Sequence, residues 1–332
     1  MSTKTLSRRQ FIAAGAAGLA VAAAPSHAKS SVPPRAGLIG CGGGGHALAD
    51  ILARPGAPMR IARLCDLDPH RASAIADQTG AALESGWEPM IESPDLDAIL
   101  IATPDDSHAE IARRALEAGK HVYVLPPLAL DAQSIQGLRE AADRSDRVIC
   151  VAMDPAQERR WRDAAAQLTA EKKTPYRIHV ALKPGPDEPA GHWARCAARS
   201  LGPAARELFN NVYPMMRHLL PDGTPRASAL GGAFGRDPRE TPDAVALTLD
   251  YPSLSAVAVY MPGRGYEPDI IRGRAGNIML PPLTPAPAWD IDSFAHAVAT
   301  GDASAMRARF EIACKAQTAI CKALGPMFKP VV

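Results

Sequence analysis

From Arg35 to Val151, short apolar runs alternate with spans of helical periodicity. Ala36–Ile39, Ile61–Cys65, Ala98–Ala102, His121–Val124 and Val148–Ala152 read as strands, with helices near Ala47–Leu52, Pro69–Thr79, Ser107–Ala118 and Ala132–Asp143. Strands that alternate with helices predict a parallel sheet with crossover connections, and continuous apolar strands suit a sheet covered on both faces. After about Met153 the pattern changes. A helical stretch, Ala156–Leu168, leads to an alternating strand, Arg177–Leu182, a Pro/Gly-rich loop at Pro184–Gly191 and a helix, Ala204–Leu220. Strands Ala227–Phe234, Ala244–Tyr251, Ser255–Met261 and Asn277–Leu280 then alternate apolar and polar residues, as in an antiparallel sheet with one solvated or partner-covered face. Two helices, Ile291–Ala299 and Ser304–Leu324, close the chain. The expected class is α/β: a doubly wound parallel sheet over residues 29–152, then an α+β domain with an open, largely antiparallel sheet over 153–332.

The turn after the first strand carries chemistry. Gly40-Cys41-Gly42-Gly43-Gly44-Gly45 satisfies Gly-x-Gly-x-x-Gly between a strand and a helix. Gly40 permits the tight turn, Gly42 lets a pyrophosphate approach the backbone, and Gly45 lets helix and sheet pack closely, with phosphates at the helix N-terminus. A glycine-rich turn alone would mean little. Asp66, however, ends the next strand, where a carboxylate can bind ribose hydroxyls. The combination predicts a Rossmann domain that binds NAD, with NADP disfavoured because Asp66 would repel a 2′-phosphate.

The N-terminus reads as an export signal. Ser7-Arg8-Arg9-Gln10-Phe11-Ile12 is a twin-arginine motif, followed by an Ala/Gly-rich apolar run to Ala24 and a small-residue site, Ser26-His27-Ala28. Residues 1–28 are therefore expected to be removed, which places the mature protein in the periplasm or outside the cell with no membrane span. Without Lys4, Arg8 and Arg9, the basic residues fall one short of the 35 acidic ones. With no long Lys/Arg run, nucleic acid is not an expected partner. The six cysteines (Cys41, Cys65, Cys150, Cys196, Cys314, Cys321) lack metal-ligand spacing, and no metal site is expected. Twin-arginine substrates fold in the reducing cytoplasm, so free thiols are expected, mostly as core residues, with Cys314 and Cys321 on one helix face.

Ala98-Ile99-Leu100-Ile101-Ala102-Thr103-Pro104-Asp105-Asp106-Ser107-His108 and Gly119-Lys120-His121-Val122-Tyr123-Val124-Leu125-Pro126-Pro127-Leu128 closely resemble the Gfo/Idh/MocA dehydrogenases, sugar-type oxidoreductases that bind NAD or NADP. The resemblance covers most of the mature chain. It implies that Thr103-Pro104 runs under the nicotinamide ribose, while His108 either approaches the cofactor or is a helix-capping or surface histidine. In the family the second segment ends in Glu-Lys-Pro, its lysine beside nicotinamide and substrate. Here Leu125, Pro126 and Pro127 occupy those positions. The segment Gly202–Arg217 resembles the family helix carrying an acid, a histidine four residues later and an aspartate three beyond. Glu207, Asn211 and Pro214 stand there instead, and Pro214 should bend the helix. Asn211 can hydrogen-bond a hydroxyl but cannot take its proton.

His192 and Tyr213 are the candidate substitutes, with Lys183 a further one; each also has an ordinary reading as a surface or packing residue. An exported dinucleotide protein meets no NAD pool, so its cofactor must be tightly retained and any chemistry redox-neutral. The expectation is a non-catalytic or altered relative that binds a sugar-like molecule or a periplasmic protein. The alternative is an active oxidoreductase or redox-neutral glycosidase with a substitute acid/base. The open sheet, by the resemblance, pairs in a homodimer.

Overall fold

The computed structural model describes residues 32–182, 194, 196, 198–232, 244–261, 269–280 and 290–327. In the first half, β1 (Arg35–Ile39), β2 (Arg60–Cys65), β3 (Ala82–Leu83), β4 (Ala98–Ile101), β5 (His121–Val124) and β6 (Ile149–Val151) form one parallel sheet in the order β3-β2-β1-β4-β5-β6. Helices α1 (Gly43–Leu52), α2 (Pro69–Thr79), α3 (Trp87–Glu92), α4 (His108–Glu117) and α5 (Ala132–Asp143) make the connections. β4, β5 and β6 are buried throughout, as the unbroken apolar runs require. The order reverses between β1 and β4, opening the crevice where α/β sheets of this kind bind ligands. Two features depart from the pattern reading: β3 and α3 are too short to show a period, and α1 begins four residues early, inside the glycine run.

The second half has α6 (Pro155–Ala170), β7 (Pro175–Leu182), α7 (Gly202–His218), β8 (Arg226–Gly232), β9 (Ala244–Asp250), β10 (Ser255–Tyr260), β11 (Ile270–Gly273), β12 (Gly276–Met279), α8 (Ile291–Thr300) and α9 (Ser304–Leu324). Its sheet runs β12-β11-β7-β10-β9-β8. β11 and β12 form an antiparallel hairpin at one edge. The sheet is mixed, however, because β7 pairs with β10 in parallel while its other pairs are antiparallel. Alternation fixes which face is buried, not strand direction. Val245, Leu247 and Leu249 on β9 and Ala256, Ala258 and Tyr260 on β10 point into the core. The opposite face carries the cross-sheet row Ser228, Thr248, Val257, His179, Ile270 and Met279.

α8 returns to the first sheet. Phe294 meets Tyr123 with ring centroids 5.3 Å apart, and both belong to the core that holds Leu38 and Leu100. All six cysteines are free; five are buried and Cys196 is exposed. Cys314 and Cys321 share the buried face of α9. Burial raises the Cys41, Cys65 and Cys150 thiols to about 12, so they stay protonated and unreactive.

Candidate cofactor and substrate site

The glycine loop is shaped first by its own backbone. Gly40 has φ +92°, and a Cβ there would lie 2.6 Å from the Ala102 carbonyl carbon at the end of β4. A Cβ on Gly45 would lie 2.1 Å from Gly40 O, so α1 can approach β1 only without a side chain. Gly42 and Gly43 differ. A Cβ on Gly42 would have only Arg71 Nη1 nearby, at 3.9 Å, and one on Gly43 would meet nothing within 4 Å. The loop thus leaves an open cradle at the start of α1, and its residues fit a dinucleotide diphosphate.

Asp66 sits at the end of β2 and is partly exposed. Its Oδ2 accepts from the Cys41 N–H at 2.6 Å and its Oδ1 from the Asp68 N–H at 2.7 Å. The carboxylate therefore braces the glycine loop while keeping lone pairs for a ribose hydroxyl. Asp68 caps α2, accepting from the His70 N–H at 3.0 Å, and pairs with Arg71 at 3.3 Å. Pattern reading missed two neighbours: Arg71, which the α2 cap turns toward Gly42, and Leu67, which is 100% exposed. An arginine five residues after the carboxylate was the available signal for the first.

At the end of β4, the Ser107 hydroxyl donates to Thr103 Oγ1 at 2.7 Å and also lies 2.8 Å from Pro104 O. His108 is neither a surface nor a capping residue. It is 2% exposed; Nδ1 lies 2.7 Å from Pro127 O and Nε2 2.8 Å from Thr103 O. Each nitrogen faces a backbone carbonyl, and whichever carries the proton donates to it, so the ring lies between the Thr103-Pro104 turn and the Pro126-Pro127 segment with neither nitrogen facing open space. Leu125 closes over the loop, its Cδ1 2.4 Å from where a Gly44 Cβ would lie.

α7 is anchored to this region at its start. Ser200 donates to buried Asp105 at 2.5 Å and accepts from the Gly202 N–H at 2.8 Å. Arg206 lies 3.7 Å from the same carboxylate, whose pKa is raised by burial against the pull of His108 and Arg206. Local spacing does not reveal this cluster, because its members come from two distant segments. The helix runs unbroken from Gly202 to His218 with Pro214 inside it. Lacking an N–H, Pro214 leaves the Asn210 carbonyl without its usual helical donor.

Asn211 is 2% exposed. Its Nδ2 donates back to Glu207 O at 3.1 Å, and its Oδ1 is buried with no hydrogen-bond partner. Glu207 is raised to about 7, chiefly by burial, then by nearby Asp154, against Arg206. Tyr213 has the packing role: it is 1% exposed, stacked on Phe209 at 5.9 Å, and burial pushes its hydroxyl far above the neutral range. His192 and Lys183 lie outside the described residues.

Residues 34–153 match the model of an oxidoreductase family with an NAD-binding Rossmann fold. A glycosyl hydrolase family 109 protein of Streptomyces niveus is 33% identical over 141 residues, 39% of this chain and 28% of the relative. An inositol 2-dehydrogenase of Saccharopolyspora erythraea is 35% identical over 114 residues, 33% of each. These matches thus span about a third or less of the curated relatives' length. A 3-ketoreductase from Actinomadura kijaniata, solved with TDP-benzene and NADP, superposes with TM-score 0.69 at 20% identity, covering 89% of this chain and 98% of that one. At that identity the likeness speaks for the fold.

Proposed function

We propose, from a first domain of the Gfo/Idh/MocA oxidoreductase type, that the protein is an exported binder of NAD and a sugar-like ligand without hydride-transfer turnover. The observation that carries this reading is Asn211. It stands where the resemblance puts the base, and its Oδ1 is a buried acceptor without a partner. Such an acceptor can take a hydrogen bond from a ligand hydroxyl but cannot take the proton itself. Pro126, at the lysine position, supplies neither charge nor proton. A bound nicotinamide would supply hydride chemistry; the residues around it hold a hydroxyl but do not ionise it.

Support for NAD over NADP comes from Asp66, which stands where a 2′-phosphate would meet a carboxylate, while exposed Leu67 offers an apolar face beside it. The cofactor would be loaded before export and tightly retained. Residues 1–28 would be the removed signal and 29–152 and 153–332 the two domains. The outward face of the second sheet, with Leu230 81% and Met279 52% exposed, supports pairing in a homodimer.

The test is absorbance at the reduced-nicotinamide band with a panel of sugars, sugar acids and glycosides. Binding of NAD with no change in its redox state is expected. Robust reduction of bound NAD by the wild-type protein overturns the reading. One observation favours the alternative, an active enzyme: Glu207 near 7 is poised to exchange a proton close to neutrality. In that case activity would follow an ionisation near pH 7, and Glu207→Gln would abolish both the activity and its pH dependence.

A further inference from the structure

A cavity of about 280 Å³ lies where α6 begins, between that helix, the end of α7, Asp290 at the head of α8 and Arg309 in the first turns of α9. None of Pro126, Glu207 or Asn211 lines it. Its walls carry four arginines, Arg159, Arg162, Arg217 and Arg309, against two carboxylates, Glu158 and Asp290. Glu158, Arg159 and Arg162 fall at helical spacing on one face of α6.

Both carboxylates are already neutralised. Glu158 Oε1 forms a short ion pair with Arg217 and lies 2.7 Å from His218 Nε2; Asp290 pairs with Arg309 at 2.7 Å. Arg162 reaches only Asp163, at 3.2 Å on the exposed flank, and no described residue pairs with Arg159. Among the cavity's four guanidiniums only Arg159 is left without an acid partner; Arg162 commits Nε and Nη2 to Asp163 and keeps Nη1, and both side chains are exposed to an incoming anion. Guanidinium donors match the oxygens of a carboxylate or phosphate two at a time. The cavity holds a second, different demand: Glu158 Oε2 is buried without a hydrogen-bond partner. An acceptor of that kind calls for a donor, which sulfate at neutral pH lacks and a hydroxyl group provides.

We propose that this cavity binds a small hydroxylated anion, a sugar acid or sugar phosphate. Its charged group lies against Arg159 and Arg162, and a hydroxyl donates to Glu158. Its volume lies just under the roughly 300–1,000 Å³ of small-molecule clefts, which suits a single sugar-sized unit. The site is independent of the dinucleotide reading. Loss of NAD binding with anion binding intact would remove only the earlier proposal.

Titration calorimetry on the mature chain tests it with D-gluconate, D-galacturonate and glucose 6-phosphate, against D-glucose and inorganic sulfate at matched ionic strength. At least one hydroxylated anion should bind one per chain, tenfold or more tightly than either glucose or sulfate. The carboxylate and phosphate arms decide between the two sources. Arg159→Gln with Arg162→Gln should weaken that binding at least tenfold, each single variant less. Gly42→Asp, which alters only the diphosphate cradle, should leave it unchanged. Thermal melting checks that the variants are folded. The proposal is overturned if no hydroxylated anion outbinds both controls, or if folded Arg159 and Arg162 variants keep wild-type affinity.

Discussion

Gly42→Asp separates cofactor binding from folding. A Cβ at Gly42 has only Arg71 Nη1 near it, at 3.9 Å, so the new side chain enters open space and gains a cation as neighbour. Stability should change by no more than about 0.5 kcal/mol, as for surface substitutions elsewhere. Binding is another matter, because the new carboxylate points into the cradle that a diphosphate would fill. Two like charges about 4 Å apart repel by about 4 kcal/mol at an effective dielectric of about 20 and by about 1 kcal/mol in bulk water. At about 1.4 kcal/mol per decade, NAD affinity should fall between about fivefold and a thousandfold. Calorimetric titration of cofactor-free protein with NAD measures it, with Gly42→Ala to separate bulk from charge. Gly45→Ala is the structural contrast: its Cβ would lie 2.1 Å from Gly40 O, so it should fail in folding before binding can be asked. Wild-type NAD affinity in a folded Gly42→Asp protein would refute the placement of the diphosphate.

His121 is 9% exposed, its Nδ1 accepts from the Val148 N–H at 2.9 Å, and burial pushes its pKa down to about 4. Its folded value is below the ordinary 6.5, so its contribution, on the order of 3 kcal/mol, is full above about pH 6.5 and is lost as pH falls toward 4. Chemical denaturation across that range should show a steeper loss in the wild type than in His121→Gln. Leu230→Glu on the outward face of the second sheet should convert a micromolar dimer to monomer in sedimentation; a wild type already monomeric would refute the pairing. Replacing Arg8 and Arg9 by lysine should trap unprocessed precursor in the cytoplasm, and normal export would remove the argument for a captive cofactor.

The parts legible in the sequence were those whose cause is local. The glycine turn, Asp66 at the end of its strand and the apolar runs of β4 and β5 each declare themselves within a few residues. The rest depends on long-range packing. His108 does begin α4, but its burial and its two carbonyl neighbours, one of them 19 residues away, could not be read from that position. Tyr213 had two readings, packing residue or substitute acid/base, and its core position follows from α7 being buried around most of its circumference, which spacing alone does not show. The upward shift of Glu207 comes from burial and from Asp154 at the head of α6, neither of which spacing reveals. The arginine cavity draws on four separate segments and has no signature in any one of them.

The glycine motif is weaker evidence for a cofactor than its spacing suggests, and the structure shows which part of it counts. Gly40 and Gly45 are required by the fold itself, since side chains there would strike the end of β4 and the loop's own carbonyl whether or not a ligand is bound. A chain that had lost all cofactor chemistry would still need them. Gly42 and Gly43 are different: packing leaves room for a side chain at both, the N-cap and the first residue of α1. A backbone left bare without steric need has its simplest reason in the close approach of a diphosphate to the loop. The same reasoning stops short of catalysis, because no steric demand of that cradle reaches Pro126 or Asn211. Binding and turnover rest on different residues of this chain, so evidence for one carries no weight for the other.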